Sequence, residues 1–179
     1  MMLGPAAATP RINRAPSPLI ARSLPWLVVM FGSLLQTLPL IASAPVMPPF
    51  GFLFLVAWRQ LRPGLLPVWA GLPLGLVDDL FSGQPMGSAM LLWSATMIAM
   101  DLIEQRFPWR SYLLEWAVAA AFIVAYLLFA SAVAHMGASG PFVGVLMPQL
   151  VLSILVFPLG ERFVAACDRL RLWRFRVLP

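Results

Sequence analysis

The sequence predicts an all-α, polytopic integral membrane protein of about six transmembrane helices, and three observations lead there. Of the 179 residues 61% are hydrophobic and 11% charged, with a mean hydropathy of +0.87; a soluble domain carries about a quarter charged residues. The apolar residues gather into six runs of roughly span length, each join marked by proline or glycine. The basic residues, 12 in all and every one arginine, alternate between the joins. Arg11, Arg14 and Arg22 precede the first run, Arg59 and Arg62 follow the second, Arg106 and Arg110 follow the fourth, and five follow the sixth. The opposite joins at 42–45, 82–84 and 136–141 hold none. Arginine accumulates on the cytoplasmic side, so both termini are expected inside, which requires an even number of spans.

Residues 1–22 are rich in Ala and Pro without apolar periodicity and read as a disordered cytoplasmic arm. The six-helix membrane domain follows at 23–160. Its first run, about Leu24 to Ile41, ends in Ala42-Ser43-Ala44, which resembles a signal-peptide cleavage site. The length of the run and Pro45 just past the triplet argue against cleavage. The second run, Val46 to Trp58, is short for a crossing and is expected either to begin within the Pro45, Pro48, Pro49 stretch or to span only in part. Gly64 to Phe81, Pro85 to Ile103, Tyr112 to His135 and Phe142 to Gly160 complete the set. Trp26, Trp58, Trp109, Trp116 and Trp173 fall near the cytoplasmic interface, where an aromatic belt belongs. Residues 161–179 read as a basic amphipathic tail: Phe163, Cys167, Leu170 and Trp173 form a helical stripe among arginines, suited to an anionic inner leaflet or to a cytosolic partner.

The stretch from Gly71 to Gly87 is the most informative. Gly71, Gly75 and Asp79 recur every four residues and share a helix face, which lets another helix approach closely. Pro67 and Pro73 bend the same span. Asp78 and Asp79 lie about 21 to 23 Å along it, in the outer half of the hydrocarbon, where a carboxylate must face protein or water. Alternatively the helix ends early and both are hydrated at the rim. His135 belongs to that surface, as an interfacial residue or as a third ligand beside the two aspartates. Gln36 and Gln149 form a possible polar interior, bonding adjacent helices or lining a cavity. Asp101, Glu104 and Glu115 are expected to pair with Arg106 and Arg110.

Several chemistries are poorly supplied. One cysteine, Cys167, excludes an internal disulfide, and with a single histidine leaves little for zinc. No metal, cofactor or catalytic constellation is visible: there is no nucleophile elbow, no zinc-protease helix and no lysine for a phosphate-binding loop. The net charge of +5 does not signal nucleic acid, because the arginines cap apolar segments and form no stripe. No arginine is expected inside a span, which disfavours a flippase for a large anionic lipid-linked headgroup.

From about Ser23 onward the chain resembles the rod shape-determining MreD family. The resemblance rests on Leu34-Leu35-Gln36-Thr37-Leu38-Pro39, on Pro48-Pro49 before a run ending Ala57-Trp58, and above all on Gly71, Gly75, Asp79, Ser82-Gly83 and Gly87. The double Asp78-Asp79 and the proline-rich second join depart from the family pattern. The resemblance implies a non-enzymatic component of the elongasome in the bacterial cell inner membrane, governing cell shape and lateral peptidoglycan synthesis. Implied partners are a bitopic MreC-like protein, the RodA glycosyltransferase with the elongation transpeptidase and, indirectly, MreB. It also implies a fold similar to the substrate-binding subunits of energy-coupling-factor vitamin transporters, and hence an alternative function in which Asp79, Gln36 and Gln149 line a small-molecule pocket. On the scaffold reading, the Gly71/Gly75 face packs against another span or a partner's helix, and Gly75→Leu is expected to weaken assembly without stopping insertion.

Overall fold

A computed structural model describes residues 14–15, 18–37, 47–83, 85–106, 111–135, 142–171 and 176–177. Among them are six α-helices: α1 (Pro18–Leu34), α2 (Phe50–Leu61), α3 (Gly71–Ser82), α4 (Ser88–Arg106), α5 (Tyr112–His135) and α6 (Phe142–Arg171). A two-residue antiparallel bridge joins β1 (Arg14–Ala15) to β2 (Arg176–Val177), near the two ends of the chain.

Among the described residues three stretches are long and apolar enough to cross a membrane: Leu19–Thr37, Tyr112–Val133 and Leu146–Arg171. The other helices differ for local reasons. Pro48 and Pro49 stand at the start of α2, with Pro49 as its N-cap, and Gly64, at φ +79°, turns the chain after it. Its 12 residues therefore reach only about 18 Å. The third run divides likewise: a 3₁₀ turn at Val68–Ala70 precedes α3, which also has 12 residues. In α4, Asp101, Glu104 and Arg106 dilute the apolar character of the last two turns.

α2 is the axis of the bundle. Its residues Gly51 to Gln60 are all buried, as expected of a helix apolar on every side, and α1, α4, α5 and α6 pack around it. α1 crosses it at two glycines: a Cβ on Gly32 would stand 2.8 Å from the backbone N of Gly51 and 2.9 Å from its Cα. α3 pairs most extensively with α4.

Several boundaries fall elsewhere than the sequence pattern placed them. α1 starts at Pro18, because Leu19 and Ile20 extend the apolar run into the expected arm; residues 1–13 lie outside the described set. α6 passes through Gly160 without a break and ends at Arg171. Within 161–171 the inward face is Val164, Cys167 and Asp168, while Phe163 and Leu170 are exposed, so the described tail is the end of α6 and the expected stripe is rotated off its axis. Trp58 is fully buried in the core, not in a belt. Trp26 packs on Trp69, with ring centroids 5.5 Å apart; Trp109 and Trp173 lie outside the described residues.

Candidate functional site

The Gly71–Asp79 face is covered by the chain's own α4. A Cβ on Gly71 would stand 2.8 Å from the Cα and N of Ser94, and one on Gly75 would stand 2.5 Å from the Cα of Met90. Both glycines permit backbone-to-backbone contact that no larger residue allows. Asp79 continues the same face, where α4 begins. Its carboxylate accepts hydrogen bonds from the backbone N–H groups of Gly87 (2.9 Å), Ala89 (2.9 Å) and Met90 (3.2 Å) and from Ser88 Oγ (3.2 Å). The first amides of a helix have no intrahelical acceptor and carry the positive end of its dipole. α4 has no acidic residue in its own first turn, and Asp79 supplies the cap from the preceding helix. Gly83 and Gly87 serve the turn between: their φ values are +67° and +95°, and a Cβ on either would meet nothing within 4 Å. They matter for conformation, not for close packing.

Asp78 turns to a different partner set. It is fully buried, accepts hydrogen bonds from Gln36 Nε2 at 3.2 Å and Tyr126 OH at 3.4 Å, and has Ser33 close by. Phe52 stacks on Tyr126 at 4.3 Å and 12°, and Trp93 lies 6.1 Å from Phe52 at a tilt of 55°. One carboxyl of α3 thus joins α5 and the 3₁₀ turn Leu35–Thr37 that follows α1. Gln149 stays apart: its Nε2 donates to the carbonyl of Met47 at 2.8 Å. Gln36, Asp79 and Gln149 therefore face three separate internal partners. The His135 side chain lies outside the described residues, among which no group of three His, Cys, Asp or Glu could hold a metal ion.

At the other end Asp101 and Glu104 pair with Arg59, which the sequence pattern did not assign to them: Arg59 Nη2 stands 2.5 Å from Asp101 Oδ1 and 3.0 Å from Glu104 Oε2. Arg110, one of the two expected partners, lies outside the described residues. Arg59 is 3% exposed and also donates to the carbonyl of Leu66 at 3.3 Å. An arginine does lie inside the bundle, already engaged by two carboxylates. Gln60 Nε2 donates to the carbonyl of Glu115 at 2.8 Å. Asp168 accepts Arg62 Nη2 at 2.9 Å on one oxygen and Arg171 Nη2 at 2.8 Å on the other. Arg59, Tyr126, Asp168 and the Gly32–Gly51 crossing were not marked out by motif. A basic residue closing an otherwise apolar run was the one available signal, and it pointed to Arg59.

The sharpest sequence feature, two glycines and an aspartate at four-residue spacing, is thus a helix-pairing device whose aspartate caps the next helix. No curated protein and no solved structure matches the chain. A family model described as rod shape-determining protein MreD matches residues 19–160, which takes in α1 to α5, the whole glycine and aspartate device and most of α6: the chain belongs to the MreD family of rod shape-determining membrane proteins.

Proposed function

We propose that this protein is a non-enzymatic scaffold of the bacterial cell-elongation complex. In this reading it sits in the inner membrane with six helices in the bilayer and both termini in the cytoplasm. It holds a bitopic MreC-like protein and, through it, the RodA glycosyltransferase and the elongation transpeptidase, with MreB reached indirectly. A fold related to the substrate-binding subunits of energy-coupling-factor transporters is part of the same proposal. The observation that carries it is the full engagement of Asp79: four donors of α4 surround its carboxylate. Gln149 and Gln36 are likewise engaged within the chain. What remains to offer a partner is apolar helix surface, such as Leu72, Leu76 and Leu80 along the exposed side of α3. Partner contact on the Gly71/Gly75 face gives way to contact on such surfaces, because α4 occupies that face.

The test is purification of the tagged protein from its host in mild detergent, with bound proteins and bound small molecules identified by mass spectrometry. Recovery of a bitopic MreC-like protein or the transpeptidase is expected. A stoichiometric vitamin, or an ATPase module in place of those proteins, would replace the scaffold with the transporter alternative.

A further inference from the structure

Of the prolines inside the described helices, Pro25 in α1 and Pro158 in α6 each leave behind an acceptor that another helix meets; Pro148 of α6 is not part of this device. Proline has no N–H, so the carbonyl four residues earlier loses its intrahelical donor. In α1 that carbonyl belongs to Ala21, ahead of Pro25; in α6 it belongs to Ile154, ahead of Pro158. Each is met from another helix. Arg171 Nη1 donates to the Ala21 carbonyl at 3.2 Å, and Trp116 Nε1 donates to the Ile154 carbonyl at 3.4 Å. Arg171 is itself held by Asp168, whose second oxygen takes Arg62. A vacated carbonyl that is partly buried costs free energy unless a donor reaches it, and in each case a side chain from another helix supplies that donor.

We infer that Pro25 and Pro158 create sockets that set α6 in register against α1 and α5, and that Arg171, braced through Asp168 to Arg62, is the clasp closing one end of the bundle. The clasp joins three distant parts of the chain: the first turns of α1, the turn after α2 and the last turn of α6. It is a conformational device of this chain and does not depend on the scaffold reading.

Double-mutant cycles on the full-length protein in detergent test it, read as the thermal midpoint of unfolding. Arg171→Ala is expected to lower the midpoint by about 3 °C in the native background but by only about 1 °C with Pro25→Ala, where the Ala21 carbonyl regains its own donor. The part lost with Asp168 is common to both arms and cancels. Trp116→Phe should behave likewise with Pro158→Ala, whereas Trp116→Phe combined with Pro25→Ala should be additive. Equal shifts in both backgrounds of either matched cycle would overturn the proposal. If neither proline variant folds, amide exchange decides: Arg171→Ala must accelerate exchange in the first turns of α1, and unchanged exchange there is equally fatal.

Discussion

Asp78 and Asp79 are adjacent and both buried, yet their surroundings divide the work between them. Asp79 meets three backbone N–H groups and a hydroxyl at a helix start; Asp78 meets an amide and a phenol on two other helices. Asp79→Ala leaves the first turn of α4 without an acceptor and should cost about 2 kcal/mol in detergent unfolding. Asp79→Asn keeps one acceptor oxygen and should cost less; equal losses for the two variants would contradict the capping role. Glycines divide in the same way. Gly75→Ala drives a methyl into the backbone of Met90 and should destabilise by about 1 to 3 kcal/mol. At Gly160 the nearest atom to an added Cβ is a ring carbon of Phe54 at 3.6 Å, so Gly160→Ala should stay within about 0.5 kcal/mol of the native chain. The glycine and aspartate spacing was legible because its period belongs to one helix. The Gly32–Gly51 crossing was not, since neither glycine has a partner at helical spacing and their meeting depends on how α1 lies across α2.

Among the elements, α2 and α6 departed most from the pattern. Hydropathy located both runs, and the short second run with its prolines was legible; its exact bounds and the persistence of α6 past Gly160 were not, because a lone glycine inside a helix costs only about 1 kcal/mol. Pairing across elements was still less legible. Arg62 and Asp168 lie 106 residues apart, and Arg59 reaches 42 residues to Asp101. The Arg59 cluster yields a sharp expectation. Arg59→Ala removes the buried cation that Asp101 and Glu104 share and should destabilise by about 2 to 3 kcal/mol, whereas Asp101→Ala leaves Glu104 in place and should cost less. Unfolding midpoints for the two variants give the ranking directly.

For the molecule as a whole, arginine asymmetry proposes that both termini share one face of the membrane. A cytoplasm-active reporter fused after Pro179 should be active, and an export-dependent one silent; the reverse would require an odd number of crossings. The enclosure of α2 has a further bearing, on how such a chain is made. At about 18 Å, with Arg59 near its end, this segment is a poor candidate for release into lipid on its own. Its neighbours must receive it as they leave the translocation channel, and one of them is the last to be synthesised: Phe54 packs on Phe163 of α6, ring centroids 5.3 Å apart. A nascent chain arrested before α6 therefore lacks part of the packing that encloses α2.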